Sequence, residues 1–421
     1  MNITALKGVN DILPREIAKW DYLESCAKKV FSIYGYRQIK IPVIEESRLF
    51  VRSIGEQTDI VEKEMYTFTD RGQRKIALRP EATASVVRAY LEHKLEGQDL
   101  ARLFYSGPMF RGEKPQSGRN RQFYQIGVEA LGCEHPQLDA EVIILALEFL
   151  NKLGLKKFSL NLNTVGCTND KDNFAKTLKT YLKGKLDQLC PNCQNRYKRN
   201  VLRTLDCKVK SCQKVIQSAP NMIDAVCPGC SCHFDRVKST LDSLSVCYNI
   251  MPHLVRGLDY YTKTVFEITH ADLGAQNAIC AGGRYDNLIK ELGGTKTGAI
   301  GFAFGTERTI LAAEAENIDF PKEEGASVYI IGLGQASDEK VFELAQTLRK
   351  NQISCYLNYN TSRALKKQLR QADKLKHRFV LILGEDELKS NCILLKDMDK
   401  GTQESIEIKN VVSELKNKLN K

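Results

Sequence analysis

Residues two apart on a strand share a face. The run from Arg121 to Glu129 therefore sets Arg121, Phe123, Gln125, Gly127 and Glu129 on one side. A guanidinium, an aromatic ring, an amide, a gap and a carboxylate in line suit the floor of a polar pocket. On the strand before, Arg111 stands at the mouth of the loop Gly112–Asn120, where its two-pronged guanidinium can grip a phosphate. Leu254 to Tyr261 offers a cation (Arg256), an acceptor (Asp259) and two hydroxyls (Tyr260, Tyr261). Ala281-Gly282-Gly283-Arg284-Tyr285-Asp286 has glycines that let a ligand approach the backbone. Gly301 to Arg308 is a glycine-spaced strand leading into a helix, with the Arg308 cation at the junction. Arg79-Pro80-Glu81-Ala82-Thr83 places a carboxylate and a hydroxyl two apart. Taken alone, the Arg121–Glu129 pattern is better read as a solvent-facing polar strand face, and Leu254–Tyr261 is open to being a packed strand end with a structural Arg–Asp pair.

The cysteines form a second constellation. Cys190-Pro191-Asn192-Cys193 and Cys227-Pro228-Gly229-Cys230 are two CxxC pairs with internal turn residues, the spacing of zinc knuckles. Two knuckles predict one four-cysteine zinc site, with Cys207, Cys212 and Cys232 nearby in sequence. The alternative is that all are small buried residues of a helical insert. A redox CxxC lacks its usual thioredoxin-like context.

Elements must hold these groups in place. Leu23, Ala27, Val30, Phe31 and Tyr34 recur at helical spacing, and Gly35 ends that helix. Ile39, Ile41 and Val43 alternate as a strand, with Pro42 assigning it to an edge or an interface. Strands are predicted at Leu103 to Arg111 and Arg121 to Glu129 around the polar loop. A helix follows over Asp139 to Leu150, then strands at Phe158 to Leu162, Val265 to Ile268 and Ala299 to Phe304. Glu314 to Gly325 reads as a linker. The last hundred residues form a βαβ-like series: Val328 to Gly332, Glu339 to Lys350, Ser354 to Leu357, a helix through Leu365 and Leu369, and Phe379 to Leu383.

The 421 residues suggest two to four domains. With 43% hydrophobic and 27% charged residues, most of the chain is neither disordered, collagen-like nor coiled coil. The net charge of +11 and pI near 8.9 suit either a polyanionic partner or a solvated basic surface. The N-terminus lacks a secretory pattern, and the apolar run Val142 to Leu147 is too short to span a bilayer. The fourteen cysteines are therefore read as reduced thiols or metal ligands in a cytoplasmic protein.

All five segments in this order resemble the histidyl-tRNA synthetases, a class II aminoacyl-tRNA synthetase family. The likeness runs from Lys7-Gly8 to about the C-terminus. Leu254–Tyr261 and Ala281–Asp286 resemble that family's two histidine-binding signatures. The segment from Phe110-Arg111-Gly112-Glu113 to Glu129 resembles class II motif 2, Gly301–Arg308 motif 3 and the Pro42 strand motif 1.

The resemblance implies an α+β fold: a class II antiparallel sheet flanked by helices, a cysteine-rich insertion and a C-terminal α/β anticodon-binding domain. The implied division is a catalytic core over 1–167 and 236–320, a mostly helical insertion over 168–235 and an anticodon-binding domain over 326–421. The implied activity joins L-histidine to ATP as histidyl-adenylate and passes it to the 3′ end of tRNA(His). The alternative is the non-catalytic, synthetase-like regulatory subunit of ATP phosphoribosyltransferase, which typically lacks the anticodon domain and parts of the histidine signatures. Magnesium accompanies ATP, and a homodimer through the motif 1 region is expected.

By the same resemblance Arg111 and Arg256 are the catalytic cations. Glu113, Phe123 and Arg308 join Arg111 around ATP, with adenine between Phe123 and Arg308. Glu81, Thr83 and Gln125 face the α-ammonium of histidine. Glu129 and Tyr261 meet its imidazole, with Tyr260 and Tyr285 lining the pocket. Lys114, Gln116 and Arg119 in the motif 2 loop face tRNA, Lys114 standing where many members have Arg. Ala82 stands for a frequent Gly, Thr306 for a common Met, and Lys263 for a usual Gly. The helix from Arg363 to Lys376 carries Arg363, Lys366, Lys367, Arg370, Lys374 and Lys376 against the single acid Asp373, a bias that fits RNA backbone.

Overall fold

The computed structural model describes residues 3–97, 100–116, 118–321, 327–359 and 364–419. They fall into two compact units, divided between Pro321 and Lys322.

The first unit is built on eight strands: β1 (Arg37–Gln38), β2 (Ala101–Phe110), β3 (Gln122–Leu131), β4 (Phe158–Thr164), β5 (Asn249–Ile250), β6 (Thr262–His270), β7 (Ala278–Arg284) and β8 (Ala299–Gly305). Their spatial order is β1-β2-β3-β8-β7-β6-β4-β5. The six long strands are antiparallel to one another. The two-residue edge strands β1 and β5 run parallel to their neighbours.

Strand alternation divides the sheet chemically. Ile126, Val128 and Ala130 of β3, with Phe302 and Phe304 of β8, enter the main core. There they meet Leu23 and Phe31 of helix Pro14–Ile33, Ile143 and Phe149 of Pro136–Leu153, Phe234 and Val237 of Pro228–Ser243, and Ile310 of Thr306–Ala315. Phe31 is the hub, its ring centroid lying 5.6–5.9 Å from those of Phe104, Phe149 and Phe302. Each such buried side chain contributes about 1.5–3 kcal/mol. The intervening residues of β3 (Phe123, Gln125, Glu129) take the other face, where the candidate site lies.

Three expectations are corrected. The segment Ile39 to Val43 is not a strand: β1 stops at Gln38. Pro42 has no N–H to offer a ladder, and the carbonyls of Ile41 and Pro42 instead accept from the Arg79 guanidinium at 2.7 and 3.2 Å. The linker expected from Glu314 is firmly held at its start. Residues 306–315 are helix, and the Glu316 carboxylate accepts from the backbone N–H groups of Lys156 and Lys157 and pairs with His270 Nε2 at 2.9 Å. The four cysteines expected to share one site do not meet, as described below.

Between β4 and β5 lie helices Thr168–Leu182, Pro191–Arg199, Lys210–Ile216 and Pro228–Ser243. The first three enclose a small core with Phe174, Leu178, Cys193, Leu205, Cys212 and Val215. The fourth runs unbroken through residue 235 and sends Phe234, Val237 and Leu241 into the main core.

In the second unit Cys355–Leu357, Val328–Gly332 and Phe379–Leu383 pair in parallel. Cys392–Asp397 and Gln403–Glu407 extend the sheet antiparallel, and neither was foreseen from sequence. Helix Leu365–Lys374 turns Gln368 and Ala372 inward and leaves Lys366, Lys367, Arg370 and Lys374 exposed. Arg363, placed on this helix from sequence, lies outside the described residues.

Candidate active site

A cleft of about 720 Å³ opens on the polar face of the large sheet. Its lining brings together Glu81, Thr83, Arg111, Glu113, Arg119, Phe123, Gln125, Arg256, Tyr260, Tyr261, Tyr285 and Arg308, drawn from all five sequence segments. Lys114 and Gln116 stand outside this lining, exposed on the 112–120 loop. A pair of backbone hydrogen bonds between Gln116 and Arg119 tightens that loop, with Gly118 at φ +69°.

One end of the cleft is acidic and phenolic. Glu81 is buried at the start of helix Thr83–Glu92 and accepts from the backbone N–H groups of Thr83 (2.7 Å) and Ala84 (2.9 Å). Those N–H groups have no partner within the helix, so a carboxylate there is well placed. Burial nevertheless raises the Glu81 pKa above the ordinary range, because its desolvation outweighs these bonds. The Tyr260, Tyr261 and Tyr285 rings pack together, the Tyr260 centroid lying 4.7 Å from that of Tyr261 and 5.7 Å from that of Tyr285. The Gln125 Oε1 atom is buried without a protein partner among the described residues, leaving an acceptor for a ligand cation.

Glu129 lies behind this lining, only 1% exposed. Thr83 Oγ1 donates to one of its oxygens at 2.7 Å, and the Tyr285 hydroxyl donates to the other. Burial pushes its carboxyl up to about 8 even with both donors in place. Gly301 makes the room: a Cβ there would collide with the Glu129 carboxyl and the Val128 carbonyl.

The other end is cationic and aromatic. The Arg111 guanidinium stands 5.2 Å from the Phe123 ring centroid, and its Nε donates to the Pro80 carbonyl at 3.0 Å. Arg308 is fixed by Nε to the Gly118 carbonyl (3.0 Å) and Nη1 to the Ala278 carbonyl (2.7 Å), which ties helix Thr306–Ala315 to the loop and to β7. Glu113 accepts from Arg119 at 3.0 Å. Arg256 donates to Glu267 at 2.7 Å, and its Nε is buried without a partner among the described residues.

Several groups escaped the sequence reading. Tyr105, Glu267 and Glu307 line the cleft, as do Asp59, Arg196 and Arg203. Tyr105 faces Gly127 across the β2–β3 pair; its ring occupies the space a Gly127 Cβ would need. A tyrosine opposite a glycine was the available signal. The Glu307 carboxylate accepts from the Tyr124 N–H with both oxygens at 3.1 Å, and burial pushes it up to about 7.

Arg284 is the converse case. Although it sits within a candidate ligand segment, it is fully buried behind the cleft, bonded to Asp139, to Asp286 at 2.9 Å and to the Cys133 carbonyl at 2.9 Å. His233 Nε2 lies 2.8 Å from the same Asp139. Lys263 occupies a left-handed conformation (φ +48°), which explains why glycine suits that position. Its Nζ pairs with Asp286 at 2.8 Å.

The predicted Cys190, Cys193, Cys227 and Cys230 site is overturned by placement. Cys190 and Cys193 converge with Cys207 and Cys212, whereas Cys227 and Cys230 converge with Cys167 and Asp170. Each CxxC pair completes its cluster with residues from its own surroundings.

An antiparallel sheet with helices on one face and a cleft on the other, bearing arginines and an aromatic platform, is the frame of a class II aminoacyl-tRNA synthetase. Residues 8–309 match the family model described as "Histidyl-tRNA synthetase", and residues 327–418 the one described as "Anticodon binding domain". The chain is 48% identical over 413 residues to the histidine–tRNA ligase of Desulforamulus reducens, covering 98% of each chain. It is 46% identical to that of Syntrophotalea carbinolica, covering 98% of this chain and 97% of the relative. The crystal structure of apo S. aureus histidyl-tRNA synthetase superposes with a TM-score of 0.80 at 36% identity, covering 98% of this chain and 99% of that one. The chain belongs to the histidyl-tRNA synthetase family.

Proposed function

We propose that this protein is an aminoacyl-tRNA ligase that activates L-histidine with ATP and transfers it to the 3′ end of tRNA(His). The observation that carries the reading is one cleft joining a buried Glu129–Thr83–Tyr285 network to the cations Arg111 and Arg256. In activation the histidine carboxylate attacks the α-phosphorus, forming a P–O bond as pyrophosphate leaves. Charge grows on the phosphate oxygens, so positioned guanidiniums serve better than a side-chain nucleophile. Arg111 meets the α-phosphate with the donors its Pro80 bond leaves over, and Arg256 supplies a second cation. Adenine lies between Phe123 and Arg308, a stacking role suited to arginine. Glu113 closes the nucleotide side. ATP enters as its magnesium complex, whose cation offsets phosphate charge; Glu113 and Glu267 are the lining carboxylates suited to its water shell.

Histidine is read at the opposite end. Its ammonium meets Glu81, Thr83 and Gln125, and its imidazole meets Tyr261 and Glu129, the latter through the Thr83 and Tyr285 layer. A pocket of buried hydrogen-bonding groups rejects analogues that leave them unpaired. Lys114, Gln116 and Arg119 accompany the tRNA acceptor end, and the exposed cations of helix Leu365–Lys374 accompany its anticodon region. The working division is a catalytic core over 1–167 and 236–320, an insertion over 168–235 and an anticodon-binding domain over 326–421. A homodimer is supported by Ile44 and Phe68, exposed by 50% and 45% on the small sheet of Ile44–Glu46, Thr67–Thr69 and Lys75–Leu78 beside the motif 1 segment. No helix among the described residues is long and apolar enough to cross a membrane, and the cytoplasm is the compartment that fits reduced thiols.

Histidine-dependent exchange of pyrophosphate into ATP, followed by charging of tRNA(His), tests the reading. Histidine binding with neither reaction would instead favour the regulatory-subunit reading. The retained match over 327–418 weighs against that alternative.

A further inference from the structure

Of the two sulfur-rich clusters, one has four independent ligand atoms converging from two short chain segments. Cys190 caps helix Pro191–Arg199, and Cys193 lies in its first turn. Cys207 follows the short helix Val201–Asp206, and Cys212 lies in helix Lys210–Ile216. Their four sulfurs lie within 4.8 Å of one another, and Cys190 and Cys207 are 3.9 Å apart. Tetrahedral zinc with Zn–S bonds of about 2.3 Å needs sulfurs about 3.8 Å apart. A disulfide would instead bring two of them to about 2 Å, and all four are free thiols.

We propose that Cys190, Cys193, Cys207 and Cys212 bind one structural zinc ion. Spacings of CxxC and Cx4C suit tetrahedral closure. The Cys190 N–H donates to the Cys212 sulfur at 3.1 Å, which fixes that sulfur toward the other three. Four thiolates around Zn²⁺ leave a net negative charge, and Lys208 and Lys210 flank the cluster just after Cys207 in the chain. Soft sulfur ligands in a tetrahedron select zinc over the hard cations. Ordinary packing of small thiols requires no such convergence of four sulfurs, nor an N–H aimed at one of them.

The second cluster is weaker as a site. Both oxygens of Asp170 already accept backbone N–H groups, from Cys167 and Cys227 at 3.0 Å each. Cys167 and Asp170 form a helix-capping box. That explains their proximity without a metal.

The proposed ion joins the segments that brace the cleft. Arg196, on the helix Cys190 begins, donates to Asp59 at 2.9 Å and to the Arg203 carbonyl at 3.2 Å. Arg203, four residues before Cys207, donates to the Arg256 carbonyl at 3.0 Å. Zinc thereby fixes the two ends of a brace that positions Arg256. Arg196 and Arg203 are positioning residues.

The test uses the full chain purified without added zinc. Elemental analysis should find zinc that a thiol-specific mercurial releases. Cys193→Ser/Cys212→Ser should lose one equivalent per chain, and Cys227→Ser/Cys230→Ser should lose none. If the first variant does not fold, cobalt exchanged into the parent should give the thiolate-to-metal charge-transfer bands of a tetrathiolate site. Hydrogen exchange over residues 191–206 should accelerate when the metal is removed. A folded, metal-free parent that gives no cobalt thiolate bands would overturn the site, as would a zinc equivalent lost only with Cys227 and Cys230. Unchanged exchange over 191–206 would overturn the brace.

Discussion

Thr83 Oγ1 and Glu129 Oε1 are 2.7 Å apart, joining the first turn of a helix to the C-terminal part of β3 beneath the cleft. With Tyr285 on the other oxygen, Glu129 has both oxygens engaged before any ligand arrives. Tyr285→Phe keeps the ring and removes one donor. Leaving a buried polar group without its partner costs about 1–3 kcal/mol. The KM for histidine in pyrophosphate exchange should rise about 10- to 100-fold, with the KM for ATP nearly unchanged. Equal effects on both substrates would remove the Glu129 network from histidine recognition.

Glu129 also makes stability depend on pH. An ordinary glutamate loses its proton near 4.5, whereas the buried one keeps it up to about 8. Between those values the folded state binds the extra proton. The contribution is therefore complete below 4.5 and lost as pH rises through 8. Glu129→Gln cannot titrate. The Tm of the variant minus that of the parent, measured without ligand, should climb across this window. Glu307 drifts in the same direction but is common to both proteins, so its effect cancels. A flat difference would mean that Glu129 ionises as an exposed carboxylate does.

Arg256→Ala should lower kcat for pyrophosphate exchange on the order of 10²–10³-fold, the cost of removing one preorganised charge stabiliser. Sedimentation should show the same oligomer as the parent, because Arg256 lines the cleft and bonds within its own chain. Retained exchange would assign its guanidinium to holding Glu267 alone.

Lys366→Glu/Lys367→Glu addresses the second unit separately. Pyrophosphate exchange needs no tRNA and should be unchanged. The KM for tRNA(His) should rise. The log–log slope of tRNA affinity against salt should flatten by about 0.7–0.9 for each phosphate that the variant no longer neutralises. Charging kinetics at two salt concentrations decide it.

The sequence reveals faces better than depths. Period-2 alternation correctly separates Phe123, Gln125 and Glu129 from Ile126 and Val128, and helical spacing finds the buried stripe of Pro14–Ile33. Alternation does not say that Glu129 lies under Thr83 and Tyr285, since that depth is set by the absent Cβ of Gly301 on a strand far away in sequence. Arg284 shows the same limit: an arginine buried on Asp139 and one facing a ligand are identical as letters. The cysteine clusters fail for another reason. Two CxxC pairs look complementary in sequence, but each has closer partners brought in by the turns around it. Pro42 announced trouble for a strand, but the rescue of its neighbouring carbonyls by Arg79 depends on a side chain 37 residues away.

The pairing of β3 with β8 has a consequence for synthesis of the chain. Glu129 of β3 lies directly opposite Gly301, so about 170 residues must be made before that side of β3 finds its neighbour. At ribosomal rates of about 5–20 residues per second, the interval is on the order of 10–30 s. Throughout it the nascent β2–β3 hairpin carries an open edge with Ile126 and Val128 on one face, a template for pairing with another chain. The protein's hazard for aggregation is thus concentrated before Ala299 emerges, and a ribosome stalled within the cysteine-rich helices would prolong it.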